Sequence, residues 1–430
     1  MVRRSKRFVV AVGAVALMAA ACGSSSKKAA STGAAGATAS TVSSAANTAS
    51  DKGVTPTSIT IGLITSTTGA ASSTFADTAE GVQARFALEN SKGGVNGRKL
   101  NLVEVDDASS PTQDLTAAQD VVESKGAFGV LGYSAFLFGG FRYLQENGVP
   151  VTGSGFDGPE WSTQPNTNMF SFSVNQNPKF PAYTTDADFF KSIGVSCAGG
   201  VAYGASPSST NSIKQMQLAV KNAGLKACYT NLSFPFGGVD FGATSLAMKQ
   251  AGVDVAVCSC VEASDLAMAI GLKNVGSAAK VVDYTGYSQS TIDDPASAAA
   301  AQNAYFKTSY VPFELHQPGG DAMIAALKQF DTKYKGGDPD FGLAGGWTSA
   351  DLMIKGLQVA GQNPTRQSFI ANLSKVTDYD AGGLLAQKWT FANFGQPPDT
   401  VCDYYPQLQG TKFVPSKNFC GTPIAGSASS

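Results

Sequence analysis

From residue 57 onward, short apolar strand segments alternate with amphipathic helical segments, and no other feature constrains the fold as tightly. Ile59, Ile61 and Leu63 alternate in a strand that stops at the small, polar run Thr65 to Gly69. A helix is expected over Asp77 to Ser91, with Val82 and Phe86 on its apolar side and Gly93-Gly94 at its end, and Leu100 to Val105 is the next strand. Ser110, Pro111 and Gln113 spell a capping box with proline at the first helical position, so a helix carrying Leu115, Ala118, Val121 and Val122 starts there. Ala127 to Leu131 reads as strand, Ser134 to Asn147 as helix and Val149 to Thr152 as strand. Units of this length in strict alternation require crossovers of one hand and a parallel sheet covered on both faces, which is a doubly wound α/β lobe.

The pattern restarts after the polar break Asn175-Gln176-Asn177-Pro178. Helices are expected over Ala182 to Ile193, Ser212 to Ala223, Ala243 to Ala251 and Leu266 to Val275. Strands are expected over Ala198 to Tyr203, Cys228 to Phe234, Val253 to Cys258 and Lys280 to Tyr284. This is a second lobe of the same class. Helices over Asp321 to Tyr334, Trp347 to Ala360 and Gln367 to Leu373 follow, then a tail rich in Pro, Gly and aromatic residues.

The N-terminus assigns the compartment. Arg3, Arg4, Lys6 and Arg7 precede an apolar run from Phe8 to Met18, and Ala19-Ala20-Ala21 leads to Cys22, the layout of an export signal spanning residues 1–21. The run is too short for a spanning helix of about 20 apolar residues. Cys22-Gly23-Ser24 resembles a bacterial lipoprotein processing site, which implies acylation of Cys22 and attachment to the outer face of the cytoplasmic membrane. Ordinary secretion with cleavage after an alanine is the alternative. Residues 22–56 are almost wholly Ala, Ser, Thr and Gly and read as a flexible tether.

Of 430 residues, 43% are hydrophobic, and the formal charge is −1, so large cores are affordable but a basic nucleic-acid face is not expected. A single histidine, His316, leaves little for imidazole-based catalysis or metal binding, and neither a metal nor a cofactor is expected. After Cys22 six cysteines remain, an even number that reads as disulfides in an exported chain. The preferred pairs are Cys197 with Cys228 and Cys402 with Cys420. Cys258 and Cys260, two apart on one strand face, are either bridged or buried thiols.

Particular stretches resemble the type I periplasmic binding proteins of the leucine/isoleucine/valine-binding class, which serve ABC importers. They are Ile61-Gly62-Leu63-Ile64, Glu80-Gly81, the run from Ser91 to Leu100, Asp106-Asp107-Ala108 with Pro111 and Gln113, Gly148-Val149-Pro150-Val151 and Gly346-Trp347. The resemblance implies two lobes joined by three crossings near 175, 312 and 390, with a ligand cleft between them and hinge closure on binding. On that reading lobe 1 comprises 57–175 and 313–390, and lobe 2 comprises 176–312 and 391–430. It also implies a small-molecule ligand, a membrane permease as partner and a monomeric binder.

A doubly wound lobe binds ligands at the carboxyl ends of its strands. The relevant loops are Thr65 to Phe75, Gly132 to Ala135, Gly153 to Asp157, Tyr203 to Ser209, Val261 to Asp265 and Thr285 to Ser288. Ser134, with Ala135 beside it, sits where the resemblance places a carboxylate-binding serine; a plain helix cap is the competing role. Gly155 and Asp157 fall where the resemblance places the segment that holds an amino-acid head group, but Asp157 replaces a threonine there and would repel a carboxylate or have to be protonated; capping the turn near Pro159 is its competing role. The acidic residue that the resemblance implies for binding an ammonium is absent near Gly286 and Tyr287, which leaves Glu262 as its nearest replacement, with a solvated loop residue as the competing reading. Phe75, Tyr203 and Tyr287 offer flat apolar contacts, favouring an aromatic or less polar ligand over a charged one. Two other functions compete: a sensory lipoprotein built on the same binding body, and a secreted hydrolase. For the latter, the segment from Gly132 to Phe136 lacks the closing glycine of a nucleophile elbow, so no enzyme is expected.

Overall fold

The computed structural model describes residues 46–428. The export signal, Cys22 and most of the tether therefore lie outside the described residues. Five parallel strands form the first sheet: β1 (Ser58–Thr65), β2 (Lys99–Asp106), β3 (Gly129–Gly132), β4 (Val151–Gly153) and β5 (Met169–Ser171), in the order β2-β1-β3-β4-β5. The second sheet contains β6 (Cys197–Tyr203), β7 (Lys226–Phe234), β8 (Val255–Ser259), β9 (Lys280–Asp283) and β10 (Tyr305–Phe306), all parallel. Beyond β10 its edge is extended by antiparallel strands from the tail. Of the four tail strands, β11 (Val401–Asp403) pairs with β14 (Phe419–Gly421), while β12 (Gln407–Gln409) and β13 (Lys412–Val414) form that edge.

The helices are α1 (Ser72–Phe75), α2 (Thr78–Ser91), α3 (Pro111–Glu123) and α4 (Phe141–Glu146) around the first sheet, and α5 (Thr185–Ser192), α6 (Pro207–Asn222), α7 (Gly242–Gln250), α8 (Glu262–Asn274), α9 (Gln289–Asp293) and α10 (Pro295–Ala300) around the second. Three more, α11 (Pro318–Phe330), α12 (Phe341–Ala360) and α13 (Arg366–Leu373), return to the first sheet, where α12 packs along α2. That packing is close because two glycines face each other's helix: a Cβ on Gly81 would meet the Leu343 carbonyl oxygen at 2.1 Å, and one on Gly346 the Thr78 oxygen at 2.0 Å. The chain passes between the sheets over 172–184, 307–317 and 392–400. Tyr183 Oη of the first segment donates to the Pro398 carbonyl of the third (2.7 Å), and Thr308 of the second forms an antiparallel bridge with Tyr404, just beyond the third.

Several expectations are corrected. The helix read over Ser134 to Asn147 is a 3-10 turn at Leu137–Gly139 followed by the short α4, because the Pro111 carbonyl of α3 lies 2.0 Å from where a Gly139 side chain would start. Ser110 is extended and Pro111 opens α3 as read, but the Ser110 side chain accepts no capping bond. Helix α6 begins at Pro207 rather than Ser212, with Ser206 accepting the Ser209 N–H, and α8 begins at Glu262 rather than Leu266. The tether also ends sooner than residue 56. Fully buried Arg98 donates to the carbonyls of Thr48 (3.0 Å) and Thr55 (2.7 Å) and to the Asn47 side chain (3.0 Å), holding 46–56 against the body. Cysteine pairs Cys197–Cys228, Cys258–Cys260 and Cys402–Cys420 are all bridged. Among the described residues no helix is long and apolar enough to cross a membrane.

Candidate functional site

A cavity of about 290 Å³ opens between the two sheets at the carboxyl ends of their strands. All six loops read as cleft-forming contribute to its wall. Of the residues singled out from sequence, Phe75, Ala135, Tyr203 and Tyr287 line it, and Ser134, Gly155, Asp157 and Glu262 do not.

The four that miss the wall do so for identifiable reasons. Ser134 is buried; its hydroxyl donates to the Asp107 carboxylate and accepts the Phe136 N–H at 3.0 Å, so it is spent on the turn it sits in. Gly155 donates its N–H to Ser171 Oγ (2.8 Å) and presses against Asn175. The Asp157 carboxylate is buried, accepting the Trp161 indole N–H (2.6 Å) and the Phe138 N–H (3.1 Å). Burial and neighbouring Glu160 push its carboxyl well above the usual range. Glu262 opens α8 at the seam between the lobes, where its N–H donates to Thr74 Oγ1 at 2.9 Å.

The first-lobe wall is aromatic. Phe75 after β1, Tyr133 after β3, Phe156 after β4 and Phe341 at the start of α12 form a closed set: every pair has ring centroids 5.3 to 5.8 Å apart. Contacts of this kind contribute about 0.5–1.5 kcal/mol per pair beyond area burial. Tyr133 enters the set only because residue 345 is glycine; a Cβ there would lie 1.8 Å from the Tyr133 ring. The strand ends of lobe 1 are thus covered by rings rather than by open backbone N–H groups.

On the second-lobe side Tyr203 donates to Ser264 Oγ (2.7 Å), and Tyr287 donates to Glu314 Oε2 (2.6 Å) while accepting the Phe313 N–H (2.9 Å). Both phenols are held in place by these partners, and both side chains line the cavity. Burial raises the Tyr203 hydroxyl to about 12. Other wall residues come from segments that no local pattern marks as site-forming, among them Phe172 and Lys307 of the first two crossings, Trp389 shortly before the third, and the strand β11 that follows it.

The single histidine, His316, is largely exposed and pairs with Asp321 at 3.2 Å, whereas Ser134 is buried against Asp107. Among the described residues, no serine hydroxyl is paired with this histidine.

A family model described as periplasmic binding protein matches residues 58–402. The chain belongs to the periplasmic binding proteins. Proteins of this family bind solutes outside the cytoplasm. Solved structures share the fold at low identity. An ABC-transporter solute-binding protein from R. palustris, in complex with benzoate, aligns with a TM-score of 0.70 at 16% identity, over 86% of this chain and 98% of that one. A fatty acid ABC transporter substrate-binding protein from Thermomonospora curvata aligns with a TM-score of 0.71 at 16% identity, over 87% and 95%. A branched chain amino acid ABC transporter protein from Thermus thermophilus, with bound valine, aligns with a TM-score of 0.70 at 16% identity, over 85% and 96%. No curated protein matches this periplasmic binding protein in sequence.

Proposed function

We propose that this periplasmic binding protein captures a small organic solute with an aromatic or otherwise apolar body in the interlobe cavity and delivers it to an ABC importer. The observation that carries this reading is the closed set of four rings, Phe75, Tyr133, Phe156 and Phe341, at the strand ends where an amino-acid head group would need open N–H groups and a serine. Ser134 and Asp157, the residues nearest to head-group anchors, are committed to interior partners. The known ligands of the structural neighbours, benzoate and valine among them, span both chemistries. We further propose that acylated Cys22 anchors the protein outside the cytoplasmic membrane, a reading supported by the export signal and the residues around Cys22.

Trp389 lies in the cavity wall and supplies the test, because the other two tryptophans, Trp161 and Trp347, are buried in the first-lobe core. Titration of the purified protein with benzyl alcohol, benzamide, 1-hexanol and valine, followed by tryptophan emission and by melting temperature, is expected to give saturable responses to the apolar solutes. Binding at a hundredfold excess over Kd stabilises by about 2.7 kcal/mol. In Trp389→Phe the emission change is expected to vanish while the thermal shift persists. A protein that responds to valine and to none of the other three would overturn the reading.

A further inference from the structure

The charge of the cavity narrows the ligand further. Among the described residues Lys307 is the one cationic side chain in the wall, and it is already engaged: its ammonium sits 2.8 Å from Asp186 and 3.5 Å from Asp403, over the Tyr284 ring at 4.9 Å. Tyr405 adds a further hydrogen bond to Asp186 (2.6 Å). Two carboxylates around one ammonium leave the cluster with an excess of negative charge, and Asp340, also in the wall, adds to it.

Helix N-termini are the other source of positive potential able to receive an anion. Each one bordering the cavity carries its own oxygen. Asp340 accepts the Leu343 N–H at 2.7 Å and caps α12, Ser206 caps α6, and the first turns of α5 and α8 contain Asp186 and Glu262. Lys307 cannot be lent to a ligand carboxylate without leaving a buried carboxylate unpaired, which is strongly unfavourable. Neutral polar groups remain, in the Ser154–Ser173 hydroxyl pair and in Gln176, Gln215 and Thr285 of the wall.

We infer that the cavity selects solutes without a carboxylate, an apolar body bearing a neutral hydroxyl or amide, and that Asp186 and Asp403 determine this specificity by occupying Lys307. The inference rests on the solute-binding reading above and goes beyond it by fixing the charge of the ligand.

Benzamide and benzoate test it, being nearly the same in shape and different in charge. Calorimetric titration of the full chain at pH 8 is expected to give a Kd for benzamide at least tenfold below that for benzoate. Asp403→Asn, which keeps the shape and removes one carboxylate, is expected to shrink that ratio at least fivefold. Wild-type protein that binds benzoate as tightly as benzamide would overturn the inference while leaving the solute-binding reading intact, and this comparison needs no variant to fold. If neither compound, nor any apolar solute of the emission panel, binds, the solute-binding reading itself fails and the inference with it. An Asp403→Asn protein that folds with an unchanged ratio would remove Asp403 from the specificity argument and so contradict it.

Discussion

Glu262 reaches across the seam with its N–H, yet its carboxyl sits among other acids. Burial first, then Asp283, Asp340 and Asp77, push it up to about 8 from an ordinary 4.5. In the folded protein it therefore keeps a proton that the unfolded chain has lost between those two values. Its contribution to stability is complete below about pH 4.5 and disappears as pH rises through about 8. Melting temperatures recorded from pH 5 to about 8.5 are expected to fall more steeply for the wild type than for Glu262→Gln, whose amide cannot ionise. Parallel curves would exclude Glu262 as a source of the slope. The same residue illustrates what a single chain reveals at this scale. Its type and position were legible as an acid near the cleft, but its exclusion from the wall depends on where α8 starts, and so on Thr74, 188 residues away.

Among the elements, the tail strands were the least legible. Each is three residues long and lacks a run of alternation, so neither β11 nor β14 announces itself, and their pairing is set by register across the Cys402–Cys420 clip. That clip closes a separation of 18 residues, and a loop of that order is stabilised by about 3 kcal/mol through the unfolded state. Urea unfolding of the Cys402→Ser, Cys420→Ser double variant is expected to show a loss of that order, with a larger loss of ligand affinity than a remote disulfide would give, because β11 carries Asp403. The central strands and their helices were readable for the opposite reason: β1 is an apolar run buried along most of its length, and α2 buries Ala79, Val82 and Phe86 at helical spacing, so their signals are local. The interrupted helix after β3 lost its signal to a tertiary contact, the Pro111 carbonyl against Gly139. The cavity wall divides in the same way. Loops after strands could be found from the strand pattern, whereas Lys307 lies in the second crossing and Trp389 and Asp403 flank the third, and only the assembled fold brings these segments together.

For the whole molecule, the seam between lobes is where binding and shape meet. The bond from the Glu262 N–H to Thr74 Oγ1 joins a second-lobe helix to the first lobe, and Phe136 faces Phe236 across the same seam with ring centroids 4.9 Å apart. A single hydrogen bond contributes about 1 kcal/mol, so Thr74→Val is expected to weaken ligand binding roughly fivefold. Small-angle scattering of that variant at a fixed subsaturating ligand concentration is expected to give a larger radius of gyration than the wild type gives. Unchanged affinity and radius would mean that the aromatic seam alone holds the lobes together. Behind that seam, Asp186 follows the first crossing, Lys307 lies at the second and Asp403 follows the third, so one ammonium ties the three strands of the joint. A lineage that exchanged these residues to admit a different cargo would alter the stiffness of its own joint in the same step. Cargo and mechanics are therefore expected to drift together among descendants of this protein, with compensating changes gathering along 172–184, 307–317 and 392–400 rather than in the strand-end loops.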